Sequence, residues 1–110
     1  MKVVTNNCYG GFSLSEEALT LLQQLKKGKG IDISKVSVYL DNKIQRHDPD
    51  LVYVVEKLGT KRASGECAEL IVEKLYNHIY RIEDYDGLER IDYPNSDHEW
   101  IIVEPMYRDN

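Results

Sequence analysis

Apolar positions along the chain follow two periods, and the helical one is the clearer. Leu14, Ala18, Leu21, Leu22 and Leu25 recur at the three-to-four spacing of one helix face. Ser13 with Glu16 has the form of a capping box, and Ser15 is an alternative cap. The spacing predicts a first helix over residues 14–27. Lys26 and Lys27 suit its negative end, and Gly28 and Gly30 supply a left-handed exit. Asp48 followed by Pro49 reads as a cap and a first-turn proline. Leu51, Val52, Val54, Val55 and Leu58 come next and Gly59 closes the segment, predicting a second helix over 49–58. Its β-branched residues lower its intrinsic propensity.

The second period is two. Residues 2–5 form a short β-prone start that runs into a loop containing Gly10 and Gly11. Val36, Val38 and Leu40 alternate with Lys35, Ser37 and Tyr39, which predicts a strand within 31–40. Two β-rich runs, 68–75 and 78–83, are separated by Tyr76 and Asn77 and are expected to pair as an antiparallel hairpin, with Tyr80 and Ile82 on one side and Ile79, Arg81 and Glu83 on the other. Asp86 and Gly87 mark a turn, residues 94–97 a loop, and 100–104 a final strand ended by Pro105. The polar, partly basic stretch 60–66 is expected to be the most mobile loop. The class is α+β: two helices packed on a mostly antiparallel sheet, in a single compact domain over residues 1–110.

Charge narrows the function classes. With 14 Lys+Arg against 19 Asp+Glu the net charge is −5, and no cationic stripe is present, so capture of duplex nucleic acid through phosphate contacts is not expected. No apolar run approaches the ~20 residues that span a bilayer, and no signal-peptide stretch occurs near the start, so a soluble intracellular protein with no membrane partner is expected. In that setting Cys8 and Cys67 read as two free thiols. His47, His78 and His98 are too widely spaced for a zinc site, and the acidic run from Glu83 to Asp86 lacks the ligand spacing of a calcium loop, so no metal or cofactor is expected.

Candidate chemistry is sparse in nucleophiles and rich in tyrosine. Gly10 to Ser13 opens a helix, where free N–H groups can meet an anion, but neither the Lys-Ser/Thr continuation of a P-loop nor G-x-G-x-x-G follows, and a tight strand-to-helix turn is the plainer reading. Cys8 reads as a buried, inert cysteine, and Ser64 lacks the G-x-S-x-G setting of a nucleophile, so an enzyme is not expected. Tyrosine accounts for 8 of the aromatic residues, against one Phe and one Trp, and it both stacks on a base and hydrogen-bonds. Tyr9, Phe12, Tyr80, Tyr85, Tyr93 and Tyr107 lie near loops or strand ends; Asn95 has the groups to read an adenine edge, and Arg62 and Arg108 the forks to clamp phosphates. Arg46 and His47 read as a solvent-facing connector, or as local partners of Asp48 and Asp50.

Residues 7–18 (Asn-Cys-Tyr-Gly-Gly-Phe-Ser-Leu-Ser-Glu-Glu-Ala), 46–52 (Arg-His-Asp-Pro-Asp-Leu-Val) and 82–91 (Ile-Glu-Asp-Tyr-Asp-Gly-Leu-Glu-Arg-Ile) resemble the signature of small phage and prophage proteins. Within that group the chain resembles the first-described type of Thoeris anti-defence protein. The resemblance implies a non-catalytic sponge, acting in the host bacterial cytoplasm, that binds a cyclic ADP-ribose isomer, and in higher assemblies cyclic oligonucleotides, without degrading it. It also implies a homo-oligomer with pockets between protomers: an aromatic against adenine, an Asn at the base edge and arginines on the phosphates. By residue type and order those roles fall to Tyr85, Asn95 and Arg108, with Tyr9, Gly11, Phe12 and Arg62 completing the candidate ligand site. The alternative is an acidic phage protein that inhibits a host defence protein by binding it directly.

Overall fold

Strand β1 (Lys2–Asn6) opens the chain and is buried from Val3 through Asn6, because structure covers both of its faces. This arrangement comes from a computed structural model that describes residues 1–93. The loop expected at 94–97 and the strand expected at 100–104 lie outside the described residues. The element order is β1, α1 (Glu16–Gly28), a short 3-10 turn (Leu40–Asn42), α2 (Pro49–Ala63), β2 (Leu70–Lys74), β3 (Arg81–Tyr85) and β4 (Leu88–Asp92). The expected α+β class is observed, as two helices with two small antiparallel sheets, β1–β2 and β3–β4. Among the described residues no helix is long and apolar enough to cross a membrane.

Both helices begin at side-chain caps. Ser15 rather than Ser13 caps α1: its hydroxyl oxygen accepts from Ala18 N–H at 3.0 Å. That choice shifts the helix start and leaves Glu16 out of any capping box. Ser13 instead lies buried, with its carbonyl accepting from Gly65 N–H at 2.9 Å. The far end closes at Gly30, whose φ of +80° suits a residue without Cβ. Ile31 N–H reaches back to the Lys26 carbonyl, and Gly30 N–H to that of Lys27, each at 2.9 Å. Asp48 caps α2 by accepting from Asp50 and Leu51 N–H, with Pro49 in the first turn.

Helix α2 runs as expected to Leu58, leaves helical angles at Gly59, and then resumes for one turn through Ala63. The stretch expected to be the most mobile loop is therefore anchored. Ala63 is fully buried, its carbonyl accepts from Ser15 N–H at 2.8 Å, and Leu14 and Ser64 form an isolated β-bridge. The start of α1 is thereby stitched to the end of α2. Between them lies a core that includes Leu14, Leu22, Leu51, Val54 and Leu70.

Two strand expectations fail for physical reasons. Residues 31–40 form no strand; Ile33, Val36, Leu40 and Ile44 are buried at spacings of three and four, through successive turns. Leu40, Asp41 and Asn42 all take left-handed angles, held in part by the Asp41 carboxylate accepting from the amide and hydroxyl of Ser37. The hairpin expected between 68–75 and 78–83 does not form either, because β2 pairs with β1 from Lys2↔Lys74 to Asn6↔Leu70. Instead β3 pairs with β4, which the sequence reading missed. The link is the two-residue turn Asp86-Gly87, whose φ values of 51° and 93° fit a hairpin turn of matching twist.

Among the described residues β1 is also an edge strand, and two of its outward amides are occupied. Val4 N–H donates to the Arg46 carbonyl and Asn6 N–H to Glu89 Oε1, both at 2.9 Å. Those bonds blunt the edge and tie the β3–β4 hairpin to the first sheet.

Candidate functional site

Asn6, fully buried at the end of β1, positions the site. Its side-chain amide donates to the carbonyls of Cys8 at 2.8 Å and Gly87 at 2.7 Å, and its Oδ1 accepts from Glu69 N–H at 2.7 Å. One residue thus joins the loop after β1, the β3–β4 turn and the entry to β2. Glycine then allows the two turns to meet backbone to backbone: a Cβ on Gly87 would stand 2.6 Å from the Tyr9 carbonyl oxygen. The loop after β1 and the β3–β4 turn, far apart in sequence, are brought together in this way.

On the surface of that junction lies a cleft of about 380 Å³, lined by Tyr9, Glu83, Asp84, Tyr85, Leu88 and Arg90. Tyr9 is 66% and Tyr85 71% exposed, so both rings are available to a ligand. The hairpin register explains the rest of the lining. Tyr85 stands opposite Leu88 and Glu83 opposite Arg90, which puts all four on one face of the ribbon. Arg90 also borders a second cleft of about 290 Å³, with Lys74, Tyr76 and Tyr93 in its wall.

Beneath the junction is an ion pair. Arg46 meets Glu89 through two nitrogens, Nη1 to Oε1 at 2.5 Å and Nη2 to Oε2 at 2.8 Å, with the Glu89 side chain only 4% exposed. The Arg46 guanidinium also lies 3.6 Å from the centroid of the Phe12 ring. Arg46 is therefore neither a solvent-facing connector nor a partner of Asp48 and Asp50. It braces the junction from the face of the hairpin opposite the cleft.

The candidate residues divide accordingly. Tyr9 and Tyr85 line the same cleft, and Gly11 belongs to the glycine contact behind it. Phe12 is buried under Arg46, presenting its ring to the guanidinium. Arg62 lines a different groove, between α1 and α2, and is ion-paired with Glu17. That hydrogen bond from Arg62 holds the Glu17 carboxyl below its ordinary range. Asn95 and Arg108 lie outside the described residues. Sequence reasoning missed Arg90 and Glu83 as cleft residues, although counting outward from a two-residue Asp-Gly turn places them with Tyr85.

Other reactive groups sit elsewhere. His47 Nδ1 is 2.5 Å from the Tyr80 hydroxyl in an edge-on ring contact, and burial pushes that phenol above its ordinary range against the opposing pull of Arg46. Cys8 is half-buried rather than buried, and Cys67 is exposed; both are free thiols. Among the described residues no three His, Cys, Asp or Glu side chains converge as a metal site. In comparisons with known proteins, the chain matches no family model, no curated protein and no solved structure.

Proposed function

We propose that the protein captures an adenine-bearing cyclic nucleotide, of the cyclic ADP-ribose class, and holds it intact as a phage anti-defence sponge in the bacterial cytoplasm. The observation that carries this reading is the pairing of Tyr9 and Tyr85, far apart in sequence, on one cleft beside Arg90. Two exposed rings offer stacking surfaces for a base, and a planar guanidinium suits a phosphate. The volume falls within the range of small-molecule sites. A chain of net charge −5 can hold an anion in this way because a local cation is sufficient.

Glu83 and Asp84 accept hydrogen bonds from ribose hydroxyls or from the adenine amino group in this arrangement. The cleft is shallow, and a second copy of the chain closing over it accounts for the homo-oligomer implied by the resemblance. Asn95 and Arg108 keep their proposed roles at the base edge and the phosphates. Sequestration succeeds by affinity alone, and each tenfold gain requires about 1.4 kcal/mol.

The test is capture and release. Purified protein is mixed with synthetic cyclic ADP-ribose isomers, separated from free ligand, heat-denatured, and the supernatant analysed. Recovery of the intact isomer supports the reading; a hydrolysed product, or no capture of any isomer, rejects it. A second reading, direct inhibition of a basic host protein, is favoured by the exposure of Glu83, Asp84 and Asp86 on the same hairpin. It requires a stoichiometric partner in a host-lysate pull-down that is lost as salt is raised.

A further inference from the structure

We infer that Cys8 and Cys67 form a thiol pair that closes to a disulfide on meeting a low-molecular-weight disulfide such as oxidised glutathione. The fold brings them together from 59 positions apart: the Cys8 thiol donates to the Cys67 carbonyl oxygen at 3.0 Å. The loop after Cys8 folds directly over Cys67, for a Cβ on Gly10 would stand 2.6 Å from the Cys67 Cβ. Cys67 is exposed and free to attack an external disulfide, whereas Cys8 is half-buried. The two therefore have the distinct exposures of a reacting and a resolving thiol.

The chemistry closes in two exchanges. The Cys67 sulfur attacks glutathione disulfide, forming a mixed disulfide and releasing one glutathione thiol. The Cys8 sulfur then attacks the Cys67 sulfur, forming the internal S–S bond and releasing the second glutathione. Two protein thiols lose two protons and two electrons, and one small disulfide becomes two thiols. In a reducing compartment the pair stays open, and oxidation closes it. Closure fastens the segment from Cys8 to Gly10, which carries Tyr9 and one rim of the cleft, to the residues leading into β2. The thiol chemistry stands independently of what the cleft binds.

The full chain is treated with oxidised glutathione and its intact mass measured without reductant. The expected wild-type product has lost two hydrogens and carries no glutathione, is monomeric on a non-reducing gel, and melts at a higher temperature than the reduced protein. Cys8→Ser, which keeps a donor toward the Cys67 carbonyl, is expected to accumulate a single glutathione adduct at Cys67. Wild type that accumulates the same adduct as Cys8→Ser, or that crosslinks between chains instead of within one, overturns the inference. If Cys8→Ser does not fold, the comparison is made with Cys67→Ser: the inference expects this variant to lose the internal disulfide, and oxidised wild type without a Cys8–Cys67 crosslinked peptide after digestion rejects it.

Discussion

Glu89 accepts from the two guanidinium nitrogens of Arg46 and from the Asn6 amide while shielded almost completely from water. A carboxylate in that position depends on all three donors, because an unpaired buried charge is far more costly than the pair is stabilising. Arg46→Ala is expected to lower unfolding free energy by about 3 kcal/mol or more in urea titration, within the range for breaking a buried pair. Replacing both partners, Arg46→Met with Glu89→Leu, is expected to recover most of that loss, since no orphan charge remains. Gly87 is constrained differently: its φ of 93° and its contact with the Tyr9–Gly11 backbone leave no room for a methyl group. Gly87→Ala is expected to destabilise by about 1–3 kcal/mol and to weaken ligand capture by pushing the two tyrosine-bearing turns apart.

At the scale of elements, the two helices are joined end to end by charge. Lys26, near the carboxyl end of α1, lies 2.6 Å from Asp48 and 3.1 Å from Asp50 at the amino end of α2, and Lys29 reaches Asp50 at 2.7 Å. Each sign also suits the helix end on which it sits. The hydrogen bond from Lys29, followed by that from Lys26, holds the Asp50 carboxyl below its ordinary value despite burial. Its contribution to stability is present above the unfolded carboxylate pKa, near 3.9, and is lost as pH falls through the lower folded value. Burial pulls the Lys26 ammonium down, but Asp48 and Asp50 together outweigh it and raise the group, so its contribution is full below the ordinary lysine value and fades as pH rises past it. Asp50→Asn is expected to flatten the acid limb of a melting-temperature profile measured below about pH 4, and an unchanged limb contradicts the assignment.

The same scale shows what sequence could and could not disclose. The start of α2, the end of α1 and the hairpin turn are legible because their signals are local: Asp48 before Pro49, Gly30 after the last turn, and Asp86-Gly87 between β3 and β4. Strand pairing was not legible, because alternation identifies a strand without naming its partner, and β2 finds β1 across most of the chain. The apparent strand at 31–40 failed because Val36 and Leu40 fit both periods and the intervening Val38 did not decide between them. Tyr9 and Tyr85 could be nominated by type, but their meeting depends on Asn6 and Gly87, whose roles are long-range contacts. Arg62 has an equally suitable side chain and lies in another groove, paired with Glu17.

For the whole molecule, one small core supports a site built from its first loop and its last described hairpin. Asn6 and the Arg46–Glu89 pair hold those distant segments in register, so stability and capture are expected to be coupled at the junction behind the cleft and separable at its rim. The most direct measurement is calorimetric titration of a cyclic ADP-ribose isomer into wild type, Tyr9→Ala, Tyr85→Ala and Tyr39→Ala. Tyr39 is 67% exposed and outside the cleft, and so serves as the control. With stacking worth about 1–3 kcal/mol per base, each cleft variant is expected to lose roughly fivefold or more in affinity while Tyr39→Ala matches wild type. Flat heats for wild type with every isomer, or equal affinity in all four proteins, contradict the account.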